Sequence, residues 1–203
     1  MIKSIQIPAF EEFHASFKGQ TDKSFKICSD CGGHCEYNLM APLLPGEVAF
    51  IASKLNMPVD EVRPLYFDGV DINGEVIDLI KCTETCRFLS SRFSCSISAF
   101  KPVVCALHPI YFRTEGEALS LLLDEGCPLS HNRELRENFT SVGTKSLQQL
   151  SIPFEWFQIT YDIYIHQFNY PAMVKERDVP ADQYKLYRLD ELMSYSVIKR
   201  VEL

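Results

Sequence analysis

An α+β fold is what this sequence predicts, in the form of a small, irregular, metal-stapled cysteine-rich domain with a helical C-terminal part. Three observations carry that expectation. Strand-like runs at 75–81 and 110–123 stand beside a helix-like run that opens near Pro45. The eight cysteines all fall between residues 28 and 127. Beyond residue 130 the chain has no cysteine and turns to helical periodicity. The expected division is a lead-in at 1–27, a cysteine-cluster metal-binding domain at 28–130, and a helical part at 131–203 packed on it.

Residues 1–27 read as a polar lead-in with one apolar patch at Ile5, Ile7 and Phe10. Pro45 and Glu47 suit a helix start, because the first helical turn needs no backbone donor there and favours an acid. Val48, Ile51, Ala52 and Leu55 repeat at helical spacing, and Asn56 with Pro58 marks the stop. That stripe is expected to pack in the core. Residues 75–81 form an expected strand that delivers Cys82, and 110–123 an expected hairpin turning at Glu115–Gly116–Glu117. The cysteines are thereby expected on loops and strand ends. Leu135, Phe139 and Val142 suggest a helix. A second begins near Ser151–Pro153 and carries Phe157, Tyr161, Tyr164, Ile165 and Phe168 on one side, a stripe expected to be core. Residues 182–199 read as weakly helical.

Composition excludes several classes. Of the 203 residues, 46% are hydrophobic and 23% charged, so a globular core is expected rather than disorder. A chain of this length folds without staples, so the cysteines require another explanation. Net charge is −7 with no basic run, which argues against a nucleic-acid partner. No apolar stretch reaches the length of a membrane span. The opening MIKSIQIPAFEEF has no apolar signal core and carries acids early, so a cytoplasmic, reducing compartment is expected. There, eight cysteines favour metal over disulfides.

The cysteines are Cys28, Cys31, Cys35, Cys82, Cys86, Cys95, Cys105 and Cys127. The first three read C-x2-C-x3-C around Gly32 and Gly33. Glycines let the backbone fold tightly and leave amides free to face sulfur. His34, between two of these cysteines, is either a further ligand or a hydrogen-bond donor to sulfur. His108 reads as a packed or surface histidine more than a ligand, and His14, His131 and His166 as surface or core. Eight thiolates make two four-ligand sites, or one site with cysteines left over. Zinc and iron–sulfur clusters both use four cysteines, so the count does not separate them. The candidate metal ligands are thus the eight cysteines and His34. An iron–sulfur cluster, of 4Fe–4S type, is the leading cofactor expectation, with zinc the alternative.

CSDCGGHC at 28–35, CRFL at 86–89, CSI at 95–97, KPVVC at 101–105 and ALHP at 106–109 follow one another in an order that resembles the YkgJ-type cysteine-cluster family of zinc- or iron-chelating proteins. The resemblance covers about half the chain. It implies a metal site built from Cys28, Cys31, Cys35, Cys86, Cys95 and Cys105. One relative in that family, the flagellin lysine N-methylase, is an iron–sulfur enzyme. The chain departs from the family pattern at His34, where the family has a cysteine, at Lys101 in place of Arg, at His108 in place of an aromatic, and in having Cys82. Cys127–Pro128 further resembles the Cys-Pro ending of bacterial ferredoxin motifs.

No G-x-G-x-x-G, P-loop or G-x-S-x-G is present, so no nucleotide or S-adenosylmethionine loop is visible. The acidic pairs Glu11–Glu12, Asp60–Glu61 and Asp190–Glu191 read as solvated faces. The functional expectation is an iron–sulfur protein with a redox, sensing or enzymatic role and a protein or small-molecule partner. Its rivals are a structural zinc module and a cluster-containing methylase-like enzyme.

Overall fold

The computed structural model describes residues 2–31, 41–72, 74–81, 85–90, 95–115, 118–123, 127–134, 137, 141, 145, 148–166 and 186–188. The fold is α+β. In chain order it runs α1 (Ile7–Cys31), α2 (Glu47–Leu55), α3 (Val59–Tyr66), β1 (Phe67–Ile72), β2 (Glu75–Ile80), α4 (Val103–Leu107), β3 (Ile110–Glu115), β4 (Ala118–Leu123), α5 (Phe154–His166) and β5 (Leu186–Arg188). Short 3-10 turns at Ser98–Phe100 and Pro128–His131 flank α4 and the hairpin. Among the described residues no helix is long and apolar enough to cross a membrane.

The lead-in is largely the 25-residue helix α1. Pro8 sits in its first turn, where a missing N–H costs nothing. Phe10, Phe13 and Phe17 recur at helical spacing, and each is at most 1% exposed. Phe10 stacks on Phe50 of α2 at 5.3 Å, and Phe13 on Phe17 at 5.0 Å. The α1 helix also lies against both 3-10 turns. The apolar patch seen at Ile5–Phe10 is thus the start of a core-facing stripe.

The expected stripe of α2 is core: Val48, Ile51 and Ala52 are buried, with Leu55 half-buried beside them. Asn56 ends the helix in the left-handed conformation and donates back to Ala52 and Ser53. The expected strand at 75–81 is β2, antiparallel to β1, with β5 parallel on the far side. Neither α3 nor β1 was expected from periodicity. The short stretch 186–188, inside the run read as weakly helical, is a strand, because pairing with Gly69–Asp71 overrides local preference. The expected hairpin is present as β3 and β4, paired from Ile110↔Leu123 to Glu115↔Ala118. Gly116 and Glu117 lie outside the described residues, as do Leu135, Phe139 and Val142. Residues 133, 134, 137, 141, 145 and 148–150 are helical.

On α5, Trp156, Phe157, Thr160 and Ile163 are buried, and Tyr161 is half-buried. The core face is therefore rotated toward Trp156 relative to the expected stripe. The placement of the side chains of Tyr164 and Ile165 lies outside what is described, as does Phe168.

The segment 41–47 ties these elements together. It borders β2 through Pro42↔Leu79, with Leu43 N–H donating to Asp78 O at 2.8 Å and Ile80 N–H to Ala41 O at 3.0 Å. Trp156 Nε1 donates to Leu43 O at 3.0 Å. Ile5 N–H donates to Pro45 O at 2.8 Å. Gly46 adopts φ 94°, and a Cβ there would meet the carbonyl oxygen of Ile5, so only glycine fits. Glu47, the first residue of α2, is fully buried. Its Oε2 accepts from Leu44 N–H at 2.8 Å and its Oε1 from Val103 N–H at 2.6 Å.

Two outcomes follow for stability. Trp156→Ala is expected to cost about 3–5 kcal/mol in urea unfolding, as for large core truncations; a loss near zero would mean that α5 is not anchored through this indole. Burial raises the Glu47 carboxyl from its usual 4.5 to about 8, against the lowering effect of the two backbone donors. Between those values the folded state holds a proton that the unfolded chain has released. Stability therefore falls as pH rises from about 4.5 to about 8 and is level above that. Glu47→Gln should flatten that slope. Glu47→Ala should cost about 2–6 kcal/mol, since each orphaned buried N–H costs about 1–3 kcal/mol. Urea midpoints across pH for the three proteins check this, and a slope that persists in Glu47→Gln assigns it to another group.

Candidate functional site

Four cysteines, Cys86, Cys95, Cys105 and Cys127, are half-buried and pack against the core. Three of them open a tight reversal of the chain. Leu89 N–H donates to Cys86 O at 3.0 Å, Ser98 N–H to Cys95 O at 3.2 Å, and Ser130 N–H to Cys127 O at 2.9 Å. In the first reversal Phe88 N–H reaches Cys86 Sγ at 3.5 Å. A backbone donor aimed at sulfur favours the thiolate and the metal-bound form.

The arms carrying Cys86 and Cys95 are held together. Leu89 bridges Cys95 in antiparallel sense, and Ser96 N–H donates to Phe88 O at 2.7 Å. Phe88 anchors the pair in the core, stacked on Tyr66 at 4.7 Å. Ile97, buried behind Cys95, does the same from the other arm. Upstream, Lys81 ends the chain's run along β2: its Nζ donates to Pro64 O at 2.7 Å and stands 3.7 Å from Asp68 Oδ1, both side chains nearly fully buried. Arg87 N–H returns to Lys81 O at 3.2 Å.

Cys105 lies in the middle of α4, behind Pro102, and its thiol is enclosed although the residue as a whole is partly exposed. Burial pushes this thiol well above its usual range. Cys86 and Cys95 push it the same way, Lys101 pulls it down, and Glu47 pushes it up again. The electrostatic environment of Cys105 thus includes Cys86 and Cys95 from other chain segments, with Lys101 and the buried carboxyl of Glu47.

Cys28 and Cys31 occupy the last turn of α1. They and Cys105 correct the expectation that the cysteines sit on loops and strand ends. The phenylalanine stripe of Phe10, Phe13 and Phe17 anchors the first half of α1 in the core. A helix C-terminus presents the negative end of the macrodipole, which favours a cation held there. His34, Cys35 and Cys82 lie outside the described residues. His108 is half-buried beside α4, and His131 is exposed. His14 is half-buried against the core: it stacks on Phe50 at 5.3 Å, and burial, with Lys101 and Lys54 adding to it, lowers its pKa to about 4.

Among the described residues no three His, Cys, Asp or Glu side chains form a group that would hold a metal ion. The donor chemistry of the neighbourhood suits a soft metal or a cluster; the described residues alone do not close a ligand sphere. Sequence reading missed Glu47 and Lys101 as members of this neighbourhood. The available signal was a lone acid in the apolar run PLLPGEVAFIA and a lone Lys four residues before Cys105. Compared with protein-family models, curated proteins and solved structures, the chain matches none.

The Cys105 environment makes a direct prediction. In reduced, metal-free protein, Cys105 should be alkylated by iodoacetamide far more slowly than in urea, and Lys101→Ala should slow it further by removing the neighbouring cation. Peptide mapping by mass spectrometry reads both. Equal reactivity folded and unfolded would mean that the thiol is not enclosed.

Proposed function

We propose that this chain is a cytoplasmic metal-binding cysteine-cluster protein carrying an iron–sulfur cluster of 4Fe–4S type, with a redox, sensing or enzymatic role. The observation that carries the reading is the electrostatic influence of Cys86 and Cys95 on Cys105, three half-buried cysteines of separate segments, with a backbone amide directed at the Cys86 sulfur. Thiols that influence one another in this way repel as thiolates, and a bound cation removes that penalty. Cys127 and the helix-borne pair Cys28 and Cys31, with Cys35, His34 and Cys82, are the remaining candidate ligands. The resemblance of the cysteine blocks to the YkgJ-type family points the same way.

In such a site the residues described here would hold and insulate the group. Phe88 and Ile97 would exclude water behind the sulfurs, and Lys101 would offset thiolate charge. The cluster itself would supply electron transfer or Lewis acidity. A structural zinc reading is second, and the presence of four half-buried cysteines packed against the core, a number that suits a four-thiolate site, is what favours it.

Anaerobic purification followed by iron, zinc and acid-labile sulfide analysis tests both. Iron with sulfide and broad visible absorbance is the expected result, lost in Cys86→Ser, Cys95→Ser and Cys105→Ser. Chelation should also lower the melting temperature, because metal binding free energy is folding free energy when ligands come from distant segments. Stoichiometric zinc without iron or sulfide would install the second reading. Reconstitution that loads neither metal would overturn both.

A further inference from the structure

Glu47 is the least expected group in the fold. It belongs to no ion pair among the described residues, it is fully buried, and both its oxygens are committed to backbone donors. One of those donors, Leu44, is local and closes the turn into α2. The other, Val103, is 56 residues away and is the first residue of α4. The α4 helix has only five residues and contains Cys105 at its centre. So short a helix has little stability of its own. Its own ladder is brief, with Ala106 N–H donating to Pro102 O at 2.8 Å and His108 N–H to Val104 O at 3.1 Å. Among the described residues, the carboxyl of Glu47 holds its first turn to the rest of the protein, together with burial of Val103, Val104, Ala106 and Leu107.

We propose that Glu47 is the positioning residue of the thiol site: through Val103 N–H it sets the rotation and height of α4 and thereby presents Cys105 to Cys86 and Cys95. This rests on the metal-binding reading above. Burying a carboxyl is costly, and apolar side chains would fill the same volume more cheaply. A carboxyl at this point does what no apolar side chain does, because it grips two backbone segments at once. One segment is the hub at 41–47. The other carries the thiol. A ligand held by such an outer contact loses affinity when the contact is removed, typically by about 10–100-fold.

The test uses cobalt(II) titration of the reduced, metal-free full chain, reading affinity and the thiolate-to-cobalt charge-transfer absorbance per bound ion. Glu47→Gln keeps size and one acceptor. Val103→Pro deletes the N–H from the opposite side; Val103 is the first helical residue, where proline is accepted, and Pro102 before it already has the extended backbone (φ −48°, ψ 144°) that a following proline requires. Val70→Ala, in β1, serves as a core truncation away from α4. Expected are cooperative unfolding in all three, and an affinity loss of about 10–100-fold with weaker charge transfer per cobalt in Glu47→Gln and Val103→Pro only. If one of the pair does not fold, the other decides. If wild type binds cobalt and both variants match it in affinity and absorbance, the positioning role is overturned while the metal reading stands. An equal loss in Val70→Ala would overturn it too, by showing a general stability effect. If wild type takes up no cobalt, the metal reading itself fails and this inference falls with it.

Discussion

A single buried carboxyl, that of Glu47, is the constraint on which the arrangement of this protein turns. The segment 41–47 is apolar and short, yet its backbone groups are claimed by β2, by the indole of Trp156, by Ile5 and by Glu47 itself. Backbone groups so deeply placed must all find partners, since each orphan costs as much as a typical mutation. Glu47 satisfies one of them and extends the hub to α4. The balance of forces at this carboxyl is legible in its titration. Two strong backbone donors favour the charged form, and burial still wins, raising the group to about 8. At neutral pH the acid is therefore mostly protonated.

The position of the thiols follows from that scaffold. Cys86 and Cys95 sit on two arms clamped by a bridge and by Phe88 and Ile97 in the core. Cys105 comes from a third segment, oriented by α4. All three are half-buried residues packed against the core, and the Cys105 thiol is itself enclosed. That is a suitable place for soft ligands: apolar surroundings raise the cost of free thiolates, while a bound cation relieves it. Buried Lys81 and Asp68 steady the chain just before Cys82. The isolated surface pair Lys54–Glu11, at 2.6 Å but largely exposed, contributes little by comparison.

Much of the local structure was legible beforehand. The periodicity of Val48, Ile51 and Ala52 gave α2 and its buried face, and Asn56 gave its end. The strand-like runs at 75–81 and 110–123 correspond to β2 and the hairpin. The long helix α1 was not read, although Phe10, Phe13 and Phe17 carry its period, because the polar residues between them diluted the signal. Nor was β1 read: FDGVDI has a glycine and two acids, and it is a strand because β2 and β5 pair with it on either side. The core face of α5 was placed one position off, since helical spacing alone does not say which of several aromatics turns inward; the hydrogen bond from Trp156 to Leu43 decides it.

By itself the sequence determined the class of secondary structure, the confinement of the cysteines to one stretch, and the chemistry those side chains offer, because periodicity and residue type are local properties. Only the tertiary structure decided what holds the segments that carry the thiols. The arms of Cys86 and Cys95 are joined by a bridge and anchored by a stacked phenylalanine, and α4, which carries Cys105, is tied to the hub by a hydrogen bond spanning 56 residues. It also decided that Glu47 is a buried clasp instead of a solvated helix-start acid. Nothing in the residues flanking Glu47 announces Val103. A long-range contact of this kind exists only once the hub at 41–47 has been assembled, since its free energy comes from burying both partners together.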